Sequence, residues 1–475
     1  MIVMKFGGTS VEDPECVERV ACIVRDRLQL RPAVVVSAMG KTTQMLLDAA
    51  RASATGDVKA AATIVDELRQ RHLSHARSLI EGTRPVEFDT IREYFDDLRK
   101  LLEGLTVLGE VPPRGLDKIL SYGELLSSVI VAGAFSQRGV PSVLMDARRF
   151  IKTDDRYGGA SPIFAETNRL SRDAIGPVVE SGSVPVIQGF IGSARHGATT
   201  TLGFEGSDYT AAIVGAAMGA YDIQIWKDVS GLMTADPAIL SSARTVKTCT
   251  YQEAGELTYF GAKVLHPKAI YPAAERNIPV HIYNSRRPSA TGTSISDHAV
   301  ACRNAVKSIA YKRPISVIRL SANCKFESLG DEGGPQRQDR HTIDRVLNLA
   351  LDRLNSRSSS ALITMAAGSS ALVAVESGAL AGDNGRYLKD ELRELGPVEF
   401  EDGRAIVSVI GEDLKNYPDL SSTMFGALRG VEIGMVVQGS SPIAVNLVIS
   451  QQDVERVVSR LHELFFADAD PSVFE

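Results

Sequence analysis

Lys5 stands at the end of the apolar run Met1–Phe6 and is followed by Gly7-Gly8-Thr9-Ser10. A buried strand feeding a Gly-Gly turn turns backbone N–H groups toward an anion, and glycine lets the backbone come close to a phosphate. A lysine at the mouth of that turn supplies the positive charge that a transferring phosphoryl group needs. The spacing is neither the dinucleotide GxGxxG nor the Walker GxxxxGK[ST] pattern. Other loops add to the set. Ser37-Ala38-Met39-Gly40-Lys41-Thr42-Thr43 and Gly189-Phe190-Ile191-Gly192 follow apolar runs, and Gly203-Phe204-Glu205-Gly206-Ser207-Asp208 precedes a small-residue stretch. Lys227 and Asp228 end another apolar run, Thr234-Ala235-Asp236-Pro237 reads as a turn, and Lys263 lies in Phe260–Pro267. Taken singly, each is equally a turn, a helix cap or a surface lysine. Glu124, an acid near the start of an apolar helix, is equally a charge complementing the helix dipole.

These residues need a frame. Apolar spacing predicts a helix within Val11–Leu30, a strand at 33–36 and a helix at 44–51, with charged helices over 57–108 and an apolar helix between Pro112 and Ala134. Strands are predicted at 140–145, 184–187, 223–229 and 279–283, with a helix at 211–220. Strands that each empty into a Gly/Ser/Thr loop before a helix predict an open, mainly parallel α/β sheet with its ligand at the strand ends. Past about Thr293 the texture changes. Strands at 315–320, 361–365, 371–375, 398–400, 405–410, 432–437 and 443–449, with helices at 343–354, 386–395, 421–428 and 452–465, repeat β-α-β-β-α-β approximately twice, which predicts two ferredoxin-like α+β modules. Asp331–Arg340, rich in charge, Gly and Pro, is expected to be a mobile loop.

With 475 residues, 44% hydrophobic and 23% charged, the chain has material for several domains. A net charge of -6 without dense Lys/Arg runs supplies no field for nucleic acid. The N-terminus lacks a signal-peptide layout, and no apolar run is read as reaching the roughly 20 residues of a membrane span, so the expected location is cytoplasmic. Cys16, Cys22, Cys249, Cys302 and Cys324 show no CxxC spacing and are expected to be reduced, mostly structural thiols. Small molecules and copies of itself are the expected partners. The only tryptophan, Trp226, is expected to pack in the core, and His266 to be structural.

Together, Lys5–Ser10, Tyr122-Gly123-Glu124-Leu125, Gly189–Gly192, Gly206-Ser207-Asp208-Tyr209-Thr210 and Phe260–Pro267 resemble, in order, the motifs of aspartate kinases of the amino-acid-kinase superfamily. The C-terminal pair resembles that family's ACT modules in layout. The resemblance implies a three-layer catalytic domain over 1–295, a first ACT module over 305–400 containing the mobile loop at about 328–341, and a second over 401–475. It also implies ATP- and Mg2+-dependent phosphorylation of the L-aspartate side-chain carboxylate, the entry to lysine, threonine and methionine synthesis, by a homodimer joined through the ACT modules. A carboxylate with a pKa near 4 is already a nucleophile at neutral pH and needs no general base. Lys5 and Lys263 are therefore expected to stabilise phosphate, with Gly7, Gly8 and Ser10 cradling it. Asp208 is expected to position Lys5 or the substrate amine, or to help hold magnesium through water; no direct metal ligand is assigned. Glu124 is expected to pair with the substrate ammonium. Ser37, Thr43, Phe204, Gly206 and Ser207 fall on the acceptor side, and Lys227, Asp228, Met233, Asp236, Pro237 and Val264 on the nucleotide side.

Two positions depart from the family pattern. Phe204 stands where an arginine usually binds the substrate carboxylate, a charge-assisted contact worth roughly 1.5–3 kcal/mol, and Ala238 stands where another arginine commonly follows Asp-Pro. Either a different arginine such as Arg195 serves, or the acceptor is another amino acid or carboxylate, or the chain is a weakly active regulatory homologue. In the ACT half the family's usual effector signatures are replaced by Ala361-Leu362-Ile363-Thr364-Met365 and Gln438-Gly439-Ser440-Ser441-Pro442, from which reduced or unusual feedback control is expected.

Overall fold

The computed structural model describes residues 1–80, 85–203, 205–261, 265, 267–298, 300, 302–321, 335–357, 359–412, 414–417 and 419–475. β1 (Ile2–Phe6) and β2 (Pro32–Val36) are buried at every position, as parallel strands covered on both faces must be. Between them lies α1 (Pro14–Arg25), started by Asp13, whose carboxylate accepts from the Cys16 N–H at 2.8 Å, and by Pro14 at the first helical position. A helical layer follows: α2 (Thr42–Ala54), α3 (Val58–Leu79), α4 (Pro85–Leu108) and α5 (Pro113–Gln137). The chain continues through β3 (Ser142–Met145), β4 (Lys152–Thr153), α6 (Phe164–Glu180), β5 (Val184–Gln188), β6 (Ile191–Ala194), β7 (Thr199–Thr201), α7 (Gly206–Met218) and β8 (Asp222–Lys227). β9 (Thr248–Thr250), α8 (Tyr251–Tyr259), α9 (Pro267–Ala274), β10 (Val280–Asn284) and β11 (Thr293–Ser296) complete this half.

Eight of these strands pair in the order β3-β5-β2-β1-β8-β10-β11-β9, all neighbours parallel except β10 and β11. From β1 the chain passes to β2 on one side, and β8 later joins the other side. The strand order therefore reverses at β1, and in an open parallel sheet the crevice beyond the strand C-termini at such a reversal is where ligands bind. The small sheet β4-β6-β7 was not foreseen. It is pinned to α5 by Asp117, whose carboxylate accepts from the Gly158 N–H, the Thr201 N–H and the Thr201 hydroxyl.

α5 also corrects one expectation. At 25 residues it is long and apolar enough to cross a membrane, but 89% of its most apolar window is buried inside the protein, so it is the central core helix. Its apolarity reflects contact on all sides.

The C-terminal half comprises β12 (Ser308–Ser321), α10 (Pro335–Ser356), β13 (Ala361–Ala367), β14 (Ser370–Glu376), α11 (Gly382–Arg393), β15 (Val398–Ile410), α12 (Leu420–Ala427), β16 (Ile433–Ser441), β17 (Ala444–Ser450) and α13 (Val454–Phe466). The two repeats share one antiparallel sheet, β13-β14-β12-β15-β17-β16. β12 pairs along its length with β15, and its second half pairs with β14. The sequence division at 400/401 falls inside β15. Of the mobile loop expected at about 328–341, residues 328–334 lie outside the described residues, and Pro335–Arg340 form the first turns of α10 rather than a loop. Proline there suits a helix start.

Candidate functional site

β1 and β8 are adjacent and parallel, with Lys5 opposite Ile225 in register, so Lys5 and Lys227 reach the same end of the sheet. Asp208, in the first turn of α7, lies between them. Its Oδ1 is 2.5 Å from Lys5 Nζ and its Oδ2 2.9 Å from Lys227 Nζ. Glu205, just before α7, pairs with Lys227 at 3.3 Å. The side chains of Asp208, Lys5, Lys227 and Glu205 are 0%, 6%, 12% and 20% exposed, so these charges interact in a largely dry setting.

The protonation tendencies follow from burial and neighbours. Burial alone would raise the Asp208 carboxyl, but Lys227 and Lys5 outweigh it and hold the group below its ordinary range. Desolvation lowers Lys5, partly offset by Asp208. Burial also works against charge on Lys227, yet Asp208 and Glu205 together raise it. Glu205 is pushed up by burial, against the pull of Lys227. The N-terminus of α7 adds the positive end of a helix dipole beside this charge-balanced cluster.

Backbone fit explains the glycines. A Cβ on Gly8 would lie 2.8 Å from the Ala38 carbonyl oxygen, so the β1 and β2 loops approach each other only because residue 8 is glycine. The Gly40 N–H donates to the Gly8 carbonyl at 3.0 Å, and the Gly7 N–H to the Trp226 carbonyl at 2.9 Å. Ser10, expected to cradle phosphate with Gly7 and Gly8, is tied into the fold by its hydroxyl. It is 1% exposed, and its hydroxyl bonds the Trp226 carbonyl and the Ser285 hydroxyl, tying the loop to β8 and the end of β10. Trp226 is fully buried and packs on Phe6 and Tyr283, as expected of a core residue.

On the other side of the crevice, Glu124 is 3% exposed. Its Oε1 accepts from the Ala38 N–H at 3.1 Å, while Oε2 is buried and, among the described residues, has no hydrogen-bond partner. Burial pushes this carboxyl up to about 8, against opposing contributions that include nearby Lys5. Ser37, following β2, and Thr43, in the first turn of α2, are half-buried near the same loop. Gly206 and Ser207 begin α7 and are buried. Arg195, the cation offered in place of an arginine at 204, is exposed and pairs with Glu166 at 3.5 Å. Phe204, Lys263, Val264 and His266 lie outside the described residues.

The loop after β8 leads to a cavity of about 200 Å³ lined by Val229, Met233, Asp236, Pro237, Gly261 and, from the C-terminal half, Ser308–Tyr311. Tyr311 donates its hydroxyl to Asp236 Oδ2 at 2.9 Å. Asp228 is exposed at the edge of this loop. The contribution of β12 was invisible in the sequence, because Asp236 and Tyr311 are 75 positions apart. Glu205 was missed as a site residue, because its partner Lys227 lies 22 positions away. A larger cavity of about 380 Å³ opens beside β3 and β5, lined by Tyr94, Asp146 and Arg149 among others; Lys5 and Lys227 do not border it.

The profile of the amino acid kinase family matches residues 1–284, and that of an ACT domain matches residues 407–465. Aspartokinase 2, chloroplastic, of Arabidopsis thaliana is 33% identical over 99% of this chain and 85% of its own length. The lysine-sensitive aspartokinase 3 of Escherichia coli K12 is 33% identical over 98% of this chain and 99% of its own. Among solved structures, E. coli aspartokinase III in complex with aspartate and ADP (R-state) matches with a TM-score of 0.85 at 30% identity, covering 98% of this chain and 100% of that one. Its complex with lysine and aspartate (T-state) matches with 0.76 at 30% identity, covering 98% and 99%.

Proposed function

As this chain belongs to the aspartokinases of the amino acid kinase family, we propose that it transfers the γ-phosphoryl group of ATP to the side-chain carboxylate of L-aspartate, giving 4-phospho-L-aspartate and ADP. The observation that carries this reading is the buried Lys5–Asp208–Lys227 arrangement at the C-terminal ends of β1 and β8, where the strand order reverses. A carboxylate oxygen attacks the γ-phosphorus, the bond from that phosphorus to the β,γ-bridging oxygen breaks, and its electron pair leaves with ADP. No proton has to be removed from the nucleophile. The protein's task is to hold two anions in line and neutralise the charge between them.

Lys5 and Lys227, supported by the α7 N-terminus, serve the phosphates. Asp208 is a positioning residue, because both of its oxygens are engaged by lysines that it aims into the crevice. Lys263 is assigned as a further phosphate lysine by its place in the motif alone. Glu124 receives the substrate ammonium on its unpartnered oxygen, with Ser37 and Thr43 on the same side. Met233, Asp236, Pro237 and Tyr311 line the nucleotide's cavity. The engagement of Asp208 with two lysines fits Mg2+ carried on the nucleotide phosphates and reached by protein through water. Bound there, Mg2+ would neutralise β- and γ-phosphate charge. A homodimer formed through the ACT modules and a cytoplasmic location complete the proposal.

Hydroxylamine trapping of the acyl phosphate, with aspartate and a panel of related amino acids and carboxylates, tests the assignment. Aspartate should yield the dominant hydroxamate. A larger yield from another acid would move the acceptor, and ATP turnover with no trapped product would overturn the reaction.

A further inference from the structure

Phosphate lysines are needed in the site, yet here the two described ones are fully matched by acids. Lys5 and Lys227 face Asp208 and Glu205, so the four charges sum to zero. A nucleotide bringing several negative charges to this cluster meets repulsion from both acids unless one withdraws. The two are not equivalent. Asp208 is completely buried and holds both lysines, whereas among the described residues Glu205 is ion-paired with Lys227 alone and is the most exposed of the four at 20%.

Local structure also makes Glu205 the weaker member. It occupies the N-cap position of α7 in the left-handed region, with φ at 50°, a conformation that costs a non-glycine residue energy. Its side chain makes no capping hydrogen bond to the α7 N–H groups. Its carboxylate therefore stands at a helix N-terminus beside a lysine, where a phosphate oxygen would also be drawn.

We propose that Glu205 is a displaceable counter-ion for Lys227: a phosphate of the bound nucleotide takes its place on the lysine, and Glu205 turns out toward solvent. Asp208 keeps both lysines aimed throughout. The upward push on Glu205 and the downward hold on Asp208 agree with this division of labour. The inference rests on the nucleotide reading of the site given above, and it makes Glu205 a positioning residue that sets nucleotide affinity through competition for one lysine.

The test is calorimetric titration of MgADP into the full-length protein and its variants, paired with steady-state kinetics. Glu205→Gln should tighten MgADP binding about tenfold, equivalent to the loss of one partly buried competing charge, and should lower KM for ATP more than KM for aspartate. Glu205→Asp keeps the charge, shortens the arm and tolerates the left-handed backbone; it should tighten binding less but in the same direction. Lys227→Met should weaken binding about tenfold, and in that background Glu205→Gln should have no further effect. If the wild-type protein binds MgADP and both Glu205 variants leave affinity unchanged or weaker, the inference is overturned while the proposed function stands. If Glu205→Gln tightens binding equally with Met at 227, Lys227 is not the contested partner and the inference also fails. Failure of the wild-type protein to bind MgADP at all would instead defeat the underlying functional reading.

Discussion

Glu124 carries a consequence that can be read by pH. Its carboxyl titrates at about 8 in the folded protein and near 4.5 when unfolded, so between these values the native state holds the extra proton. Stability therefore falls as pH rises through that window, and the loss is complete above about 8. Glu124→Gln removes this term, so the stability of the variant relative to wild type should grow from pH 5 to pH 8 in urea titrations. An ammonium group placed on the free Oε2 would favour the carboxylate. Binding of aspartate near pH 7 should accordingly release about one proton, seen as a dependence of calorimetric enthalpy on buffer ionisation heat, and Glu124→Gln should abolish it. Lys5→Ala should lower turnover by about 10²–10³-fold or more, the scale of losing one preorganised charge-stabilising donor, with far-UV circular dichroism retained. Full activity in that variant would remove Lys5 from the phosphate site. Lys5, Glu124 and Asp208 could be picked out as candidates because each sits in a short motif. Glu205 could not, since its meaning depends on Lys227, 22 positions away.

Among the elements, the strands with continuous apolar runs were legible to within a few residues, as at Pro32–Val36 and Val184–Gln188. The long strands were not. β12 was read only over 315–320, because Lys312, Arg313 and Pro314 interrupt its apolar pattern, and β15 was split at Glu401-Asp402-Gly403-Arg404. In the folded chain those polar stretches stay extended, and the pairing register shifts beside them. β9 and β11 are short and depend on distant partners, which local periodicity cannot report. One helix start makes a testable element-scale case. Thr250 and Glu253 form a capping box at α8, and Glu253 Oε2 also meets Lys307 Nζ at 2.9 Å, with the two side chains 0% and 1% exposed. Lys307→Met would leave a buried carboxylate without its cation and should cost about 3–5 kcal/mol in chemical denaturation. A cost below about 1 kcal/mol would show that the pair is not what secures α8 to the segment entering β12.

At the scale of the molecule, the two ACT-type repeats are held differently. Leu320, Ile343, Val373 and Leu388 belong to a separate apolar core, whereas Val407, Leu447 and Leu461 are continuous with the core of the N-terminal half. Polar stitches reinforce that second junction. Thr234 in the loop after β8 bonds His462 at 2.9 Å, and residues 245 and 475 exchange backbone hydrogen bonds. The sequence made the repeats visible through their layout but gave no sign of this continuity, which rests on contacts more than 200 positions apart. We expect a dimer of about twice 51.1 kDa by light scattering. We also expect little inhibition by lysine or threonine at low millimolar concentration, given the altered effector-loop residues; strong inhibition by either would reject that expectation.

β12 leads from the cavity assigned to the nucleotide directly into the sheet shared by both repeats. Ser308–Tyr311 wall the cavity, and Ile315–Ser321 pair with β14. For chimaeras that exchange sensing halves between related enzymes, a junction placed before Ser308 would import a foreign wall for this cavity along with the new sensor. A junction beyond Tyr311 would keep the native wall, so the choice of splice point itself should alter the KM for ATP of the hybrid.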